Sequence, residues 1–468
     1  MVTIHDTELK EGIHEAIEKA KALSKPILVS EVKKINEIDP ILFFHAGKAR
    51  YEGERFFWKE GSGNEAFAGI GICGQIQSDQ AADRFFLVKK EWEALLEDMV
   101  IYNAFSNKGA GPLLFGGFSF DPHKEKTVLW SKFSHSLFHL PLFMYSVVDG
   151  EAYLTTNVIC TQHDDHTLFE KIEANRQALL KDLETHITNG TNILIKEEEI
   201  NPGAWKETVE SVVNDMKKDL YQKVVLAREE RLTFSQKISI EDVLGNLLAR
   251  QKDSFIFAFE ASGDCFIGAT PERLVRKEDK TLFSTCLAGS IRRGVTEQED
   301  QQLGKELLQD PKNTVEHHYV VEMITAAMKE TCESVTIPDK PVLMKLKDIQ
   351  HLYTPVTGVA NPDTTLLTLV ERLHPTPALG GVPTESAMEV IREREELDRG
   401  FYAAPIGWMD YRGDGEFAVA LRSGLIQGDE ASIFAGCGVV QHSDPVSEYE
   451  ETKIKFRPMR SALGGMKQ

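Results

Sequence analysis

The 468-residue sequence has only six cysteines, and they lie far apart from one another. No two of them form a C-x-x-C pair, which argues against zinc-ribbon and thioredoxin-like chemistry. A chain of this length can bury a large core, so it does not need disulfides for its stability. The cysteines therefore support neither a metal site nor a disulfide framework.

Long apolar runs and excess positive charge are also missing. No run approaches the roughly 18 apolar residues that span a bilayer, and the first twenty residues are polar and acidic, so we expect a cytoplasmic protein. The net charge is −20, from 73 acidic and 53 basic residues. This charge argues against nucleic acid or an anionic membrane as the main partner. A site for an anionic small molecule must then supply its own positive charge.

Two common nucleotide-binding or catalytic motifs are absent, and a third is present without the helix that should follow it. There is no Walker A sequence and no G-x-S-x-G elbow. Gly69 to Gly74 matches G-x-G-x-x-G, but the residues that follow alternate like a strand and offer no helix start. We therefore expect a glycine-rich strand there rather than a dinucleotide site.

The patterns that are present indicate a mixed α+β fold in two halves, residues 1–200 and 205–465, separated by a polar segment. Strand-like pairs such as 255–260 and 264–268 read as hairpins, so at least part of the sheet is antiparallel. Predicted strands cover 27–30, 113–121, 223–228, 255–260, 264–268, 282–286, 416–422 and 431–436. Predicted helices cover 1–25, 165–188, 205–218, 240–251, 300–308, 313–332, 365–373 and 386–398.

A lysine and a glutamate stand out in the second half. Lys223 lies in an otherwise apolar strand, and Glu272 lies at the bend after another strand. Burial destabilises the ammonium form of a lysine, and a carboxyl group in a crowded acidic site keeps its proton to unusually high pH. These opposed pKa shifts are the ones that supply a general base and a general acid near neutral pH.

Further acidic residues allow two interpretations. Glu316 lies near the start of a helix, where it is either a solvated residue favoured by the helix dipole or a metal ligand. The run from Ser447 to Lys455 is typical of a solvated face. Alternatively, one of its glutamates completes a hard-cation site with Glu316, because magnesium takes few protein carboxylates and accepts other oxygens from water and substrate. Lys455 would then reach a substrate carboxylate.

Some polar and glycine-rich positions also remain open between structural and binding roles. Arg422 near a strand end suits either carboxylate recognition or a surface ion pair. The turns at Gly289 and Gly436 are either corners or places where a ligand approaches backbone N–H groups. The segment that starts at His374 contains two prolines and predicts a rigid loop.

Taken together and in order, the motifs of residues 205–465 resemble those of the chorismate-utilising enzymes, and within them the isochorismate synthases of the menaquinone type. The N-terminal half carries weaker motifs, such as GGFSFD. The motifs that carry the resemblance are KVVLARE, GATPERL, LAGSIRRG, KNTVEHHYVV, LHPTPALGG, APIGW, GEFAVALRSG, FAGCG and SEYEETKIK. The resemblance implies two large, mainly antiparallel sheets, one mainly from each half, packed face to face with helices outside.

The resemblance also implies a reaction and a set of site residues. Chorismate would become isochorismate by attack of water at C2 and loss of the C4 hydroxyl, with Mg²⁺ as cofactor. The implied general base is Lys223 and the implied general acid is Glu272. The implied ligands are Glu316 and Glu451 for the metal, with Glu448 acting through a water, and Arg422, Lys455, Gly436, Gly289, Ser290 and His374 for the substrate.

Related activities differ at the turn from Leu287 to Ser290. The ammonia-using members resemble this chain but carry a P-I-x-G-T turn, and those that make aminodeoxychorismate place a lysine where Ala288 stands. We therefore expect no glutamine amidotransferase partner. Salicylate synthase, isochorismate synthesis for siderophores, and a catalytically silent ligand-binding protein on the same fold stay open as alternatives.

Overall fold

The computed structural model describes residues 7–61, 63–184, 192–346 and 349–464. Its helices are α1 Thr7–Leu23, α2 Pro40–Ala46, α3 Lys48–Tyr51, α4 Arg84–Leu96, α5 Thr167–Asp182, α6 Pro202–Met216, α7 Ile240–Arg250, α8 Glu297–Gln309, α9 Pro311–Thr331, α10 Leu366–Leu373, α11 Thr384–Arg394 and α12 Pro445–Ala462, with a short 3₁₀ turn at Val128–Trp130. Within these described ranges, no helix combines the length and apolar character needed to cross a membrane.

The strands of the first half are β1 Ile27–Ile35, β2 Arg55–Lys59, β3 Glu65–Ser78, β4 Val100–Tyr102, β5 Leu113–Phe118, β6 Ser136–Val148 and β7 Glu151–Cys160. Those of the second half are β8 Leu194–Glu199, β9 Lys223–Phe234, β10 Phe255–Ala261, β11 Asp264–Thr270, β12 Arg273–Glu278, β13 Thr281–Arg292, β14 Cys332–Thr336, β15 Val342–Lys345, β16 Ile349–Ala360, β17 Gly381–Val382, β18 Pro405–Asp410, β19 Gly415–Val419, β20 Ser423–Gln427 and β21 Glu430–Val440.

Hydrogen bonding joins these strands into one network that divides at β6. One edge of β6 pairs with β3, and the other edge pairs with β7 and, further along, with β5. The first branch follows the order β4-β1-β7-β6-β3-β2-β10-β11-β20-β21-β9 and ends in β8 and β17. The second follows β6-β5-β18-β19-β12-β13-β16 and ends in β14 and β15. All pairings are antiparallel except that of β1 with β4.

Aromatic side chains pack the two branches against each other. Phe56 on β2 stacks on Phe115 on β5 with ring centroids 4.5 Å apart. Phe67 on β3 meets Trp408 on β18 at 4.8 Å. Burial of these large apolar surfaces is the main source of stability in such a core. The expected α+β fold with two antiparallel sheets packed face to face is therefore confirmed.

The division of strands between the sheets differs from the expectation. Strand β2 pairs with β10 in one branch, and β5 pairs with β18 in the other, so each branch mixes both halves of the chain. The expectation of one sheet from each half is wrong, because local alternation identifies strands but not their distant neighbours. The boundary between residues 1–200 and 205–465 stays a prediction.

Most predicted elements are present, with differences at their ends. The glycine-rich segment from Gly69 to Gly74 lies within β3, as predicted. Strand β19 ends at Val419, and Arg422 has a φ of +48°, so the predicted strand 416–422 is too long. Strand β8 was not predicted, because four of its six residues are charged and most are exposed. Predicted helical residues 1–6 and 185–188 lie outside the described residues.

Candidate active site

A cavity of about 240 Å³ opens in the second half of the chain and gathers most of the predicted site residues. They come from strand ends and bends of β11, β13 and β21 and from helices α9 and α12, which are far apart in sequence. The predicted residues that line it are Glu272, Gly289, Ser290, Glu316, Arg422, Gly436, Glu451 and Lys455. The fold thus brings two cations and three carboxylates to one small space.

Lys223 lies at the start of β9, just behind the residues that line the cavity. The residue is 2% exposed, and its Nζ donates a 2.6 Å hydrogen bond to Glu316 Oε1. On the paired strand β21, a Cβ at Gly438 would lie 2.8 Å from Lys223 Cε. Glycine at that position therefore leaves the room that the lysine side chain needs to reach Glu316.

Glu272 is a buried carboxyl group at the bend between β11 and β12. It is 5% exposed, and burial raises its pKa to about 7, although Lys223, Arg422 and Lys455 pull the pKa down in part. Removal from water penalises the charged form, so the group keeps its proton near neutral pH. This is the protonation state that the predicted general acid requires.

Glu316 and Glu451 are the carboxylates suited to a metal. Burial acts to raise the pKa of Glu316, but the opposing effect of Lys223 and Lys455 is larger, so the pKa is lowered overall. Lys455 holds the pKa of Glu451 below its usual value against the opposing effect of burial. Both groups are therefore ionised oxygen donors on one cavity, the type that hard divalent cations prefer.

The described protein residues do not by themselves form a complete metal site. In those ranges no group of three or more His, Cys, Asp or Glu side chains is arranged to hold an ion. Glu448 lies one turn before Glu451, but its Oε1 accepts a 2.6 Å bond from Ser443, it is not among the lining residues, and burial raises its pKa. A cation held by Glu316 and Glu451 would thus need oxygens from water or substrate to complete its shell, as Mg²⁺ commonly does.

Arg422 and Lys455 supply the positive charge that the acidic composition made necessary. Lys455 Nζ contacts Glu451 Oε1 at 2.8 Å and donates to the Gly436 carbonyl oxygen at 2.8 Å. Burial would lower the pKa of Lys455, but Glu451 more than offsets this and the net direction is upward, so the ammonium persists. Arg422 lines the same cavity from the bend before β20.

A bulge in β13 shapes the other side of the cavity. The register of β13 against β16 shifts between Ala288 and Ser290, and Gly289 at this shift has a φ of +78°, which favours glycine. Ser290 Oγ lies 2.7 Å from His351 Nδ1. Burial lowers the pKa of His351 to about 3, so its ring is neutral.

Several lining residues were not predicted from the sequence. His351, Tyr402, Lys312 and Arg399 all line the cavity. His351 lies near the start of β16, a strand with several other polar residues such as Gln350, so it carries no distinguishing signal. Tyr402 lies just before the APIGW motif, and its position beside that motif was the only available clue.

His374 is the one predicted substrate residue that the structure does not bring to the cavity. Its Nε2 lies 2.9 Å from the Phe120 carbonyl oxygen, and its ring packs edge-on against Phe120. Ala378 and Leu379, further along the same loop, line the cavity instead. The predicted substrate contact of His374 is therefore replaced by a different part of its loop, which faces the cavity.

Comparison with known proteins identifies the family of this chain. A family model described as "Chorismate binding enzyme" matches residues 15–464. The isochorismate synthase MenF of Bacillus subtilis is 43% identical over 471 residues, covering 99% of each chain. The salicylate biosynthesis isochorismate synthase of Pseudomonas aeruginosa is 34% identical, covering 98% of this chain and 95% of that protein.

A solved structure supports the fold independently. The menaquinone-specific isochorismate synthase MenF of Escherichia coli superposes with a TM-score of 0.78 at 23% identity, covering 97% of this chain and all of the other. The full-length family match and the end-to-end identity to a curated relative together decide the family. The chain belongs to the chorismate-binding enzyme family.

Proposed function

We propose that this protein is an isochorismate synthase that converts chorismate to isochorismate for menaquinone synthesis. The observation that carries the proposal is the meeting of Lys223, a protonated Glu272 and the cations Arg422 and Lys455 around one cavity. The menaquinone branch is favoured because the Bacillus relative that matches the chain end to end is a MenF protein.

Substrate binding begins with charge. Chorismate carries two carboxylates, and Arg422 and Lys455 are two of the cations that line the cavity, together with the Gly436 backbone. An arginine fork can bind a carboxylate through two parallel hydrogen bonds, and a lysine adds a compact charge. We assign the two carboxylates to these groups, in a cavity that Glu272 also lines.

The residues present fit a magnesium ion. Glu316 and Glu451 would hold it, and when bound it would neutralise and orient a substrate carboxylate. Glu316 is hydrogen-bonded to Lys223, and Glu451 is paired with Lys455. Each proposed metal ligand is therefore shared with a proposed catalytic or binding lysine, so metal and lysine compete for the same carboxylate oxygens.

Proton transfer then follows from the two buried groups. Lys223 Nζ, as a neutral amine, takes a proton from the water that attacks C2 of the ring. The double bonds shift, the C4–O bond breaks, and Glu272 donates its proton to the departing oxygen. One water enters and one leaves, so the product is an isomer of the substrate.

The test is to incubate the purified protein with chorismate, with and without Mg²⁺, and to identify the products by chromatography and mass. We expect a magnesium-dependent product isomeric with chorismate and no pyruvate. Salicylate with pyruvate would move the assignment to salicylate synthesis. No turnover, even with ammonia added, would contradict an enzymatic function.

The other sequence expectations about this protein's setting stay predictions. We propose the cytoplasm as its location and chorismate as its small-molecule substrate. We also propose that it needs no amidotransferase subunit, because the turn that contains Ala288 differs from that of the ammonia-using members.

A further inference from the structure

The strand that carries Lys223 is supported differently along its two edges. On one edge, β9 pairs with β21 from Lys223 to Thr233. On the other edge, β17 pairs only with Lys223 and Val224, and β8 pairs with β9 only from Glu230 onward. In the part of the chain that the structure describes, residues 225–229 therefore have no strand neighbour on this second edge.

Loop residues bond only to the ends of this stretch: the Val225 N–H donates to the Gly380 carbonyl oxygen at 2.8 Å, and the Ile200 N–H donates to the Glu229 carbonyl oxygen at 3.1 Å. Between these two bonds, the edge faces a second cavity of about 320 Å³. Leu226 and Ala227 of β9 line it, together with Trp205 of α6. The N–H and C=O groups at a strand edge need hydrogen-bond partners when they are buried, and water or another chain can bind them when they are exposed. The Val225 carbonyl oxygen and the Ala227 N–H, which lie between the two loop bonds, therefore need partners that are not part of a strand.

Two buried charged side chains take the place of the missing strand. Glu395 Oε2 accepts a 2.8 Å hydrogen bond from the Ala227 N–H. Arg399 Nη2 donates a 2.8 Å hydrogen bond to the Val225 carbonyl oxygen. The pair thus offers β9 one acceptor and one donor, which is what the backbone of a neighbouring strand would offer.

The pair is itself held firmly. Arg399 donates to Glu395 through Nε at 2.6 Å and through Nη2 at 2.7 Å, and its Nη1 donates to the Leu379 carbonyl oxygen at 3.1 Å. The guanidinium lies 4.2 Å from the centroid of the Phe120 ring. Glu395 and Arg399 are 4% and 3% exposed. Such a bidentate, fully buried pair fixes geometry more than a surface ion pair does.

The position of the pair relates it directly to the proposed base. Val225 is two residues after Lys223 on the same strand, so its side chain lies on the same face. Val225, Leu379 and Arg399 also line the substrate cavity. A shift of β9 at Val225 would therefore move Lys223 relative to the substrate, and a displacement of about 1 Å can reduce a rate by about 100-fold.

We propose that Glu395 and Arg399 are positioning residues that complete the edge of β9 and thereby hold Lys223 in place for proton transfer. The inference rests on the proposed role of Lys223. The N–H groups of Arg399 are engaged by Glu395 and by backbone carbonyl oxygens, so its role is to hold the strand rather than to react. Sequence reasoning could not find this role, because the strand edge that the pair completes lies about 170 residues earlier.

The test compares variants that separate the edge hydrogen bonds from the charges. Glu395→Ala removes the acceptor for Ala227, whereas Glu395→Gln keeps an oxygen that can accept the same bond. We expect kcat to fall about 100-fold in Glu395→Ala and less than about tenfold in Glu395→Gln, with KM within about twofold of wild type in both. Glu396→Ala, at the exposed neighbouring position, is the matched control and should leave kcat unchanged.

A double variant separates positioning from stability. Breaking a buried ion pair leaves an unpaired charge and destabilises the protein, whereas replacing both partners with apolar residues relieves that penalty. We expect Glu395→Met with Arg399→Met to unfold in urea at a higher midpoint than Arg399→Met alone, yet to keep the 100-fold loss of kcat. Wild-type kcat in the double variant, or equal kcat in Glu395→Ala and Glu395→Gln, would overturn the proposal.

The same assay distinguishes this inference from the proposed function. Full turnover in Lys223→Ala would contradict the role of the base itself. Loss of turnover in Lys223→Ala together with wild-type kcat in every pair variant would contradict only the positioning role.

Discussion

Two buried clusters of this protein contain the same residue types but differ in whether their buried carboxyl groups are paired with a cation. In one, Arg55 is 1% exposed and donates to Glu260 at 2.9 and 2.6 Å and to Glu241 at 2.9 Å. In the other, around the substrate cavity, Glu272 is 5% exposed and has no ion-pair partner within the described residues. Both clusters hold buried carboxyl groups, and those of the first cluster are paired with a cation, whereas Glu272 is not.

The pKa values express this difference. Burial acts to raise the pKa of Glu241, but Arg55 and Lys48 more than offset it and lower the pKa to about 2. Burial raises the pKa of Glu272 to about 7, because more distant cations offset only part of the penalty. A paired carboxylate stabilises the fold in its charged form, whereas an unpaired one holds a proton that can be transferred.

The largest expected effect comes from removing the base. Lys223→Ala should lower kcat by about 1,000-fold, because general base catalysis contributes about 100- to 10,000-fold and Lys455, another amine of the cavity, is held by Glu451 and the Gly436 carbonyl oxygen. Isochorismate formation at saturating chorismate measures it. Lys218→Ala, an exposed lysine before the same strand, should leave kcat unchanged; a similar loss in both variants would contradict the assignment.

The paired cluster should respond in stability and not in activity. Arg55→Met leaves Glu260 buried without a cation and Glu241 with Lys48 alone, so the free energy of unfolding should fall by about 3 to 5 kcal/mol. Urea unfolding measures this loss, and kcat at low temperature should stay within about twofold. Lys237→Met removes an exposed partner of Glu52 and should change stability by less than about 1 kcal/mol. A large loss of kcat in Arg55→Met would contradict the separation of the two clusters.

Glu272, the proposed general acid, should reduce the stability of the fold when it is charged. Because folding raises the pKa of Glu272 from about 4.5 to about 7, its contribution is present at low pH and is lost as pH rises through about 7. The shift corresponds to about 3 kcal/mol. Glu272→Gln should therefore be more stable than wild type at pH 9 by about this amount and of similar stability at pH 4.

The same variant links stability to catalysis. Glu272→Gln cannot donate the proton, so turnover should fall about 100-fold or more while magnesium-dependent chorismate binding persists in calorimetry. The kcat of the wild type should fall as pH rises through about 7, because the acid loses its proton. A Gln variant that gains no stability at high pH would contradict the view that Glu272 is an unsatisfied buried acid.

Sequence patterns single out candidate residues of the site more readily than they indicate how those residues are arranged. Lys223 and Glu272 were identified because each lies in a short local pattern, an apolar strand or a bend after one. Glu316 and Glu451 are 135 positions apart, and no periodicity joins them; the resemblance to a family did. His351 and the Glu395–Arg399 pair were missed because their roles depend on which strand edges meet, and pairings such as that of β9 with β21 are non-local.

The smallest expected effect concerns the carboxylate that is both exposed and paired. Glu451→Gln keeps the length and polarity of the side chain but removes the charge that would hold magnesium beside Glu316, so half-maximal activation should need about tenfold more Mg²⁺, or about 1.4 kcal/mol. Glu450→Gln alters the adjacent exposed glutamate, which pairs with Lys453 instead, and should leave the titration unchanged. An unshifted titration in Glu451→Gln would place the metal elsewhere. A shift confined to Glu451→Gln would instead show that the half-exposed pair of Glu451 with Lys455 belongs to the cluster around the cavity. The charge of a structural pair such as Glu241 with Arg55 should not affect the magnesium titration.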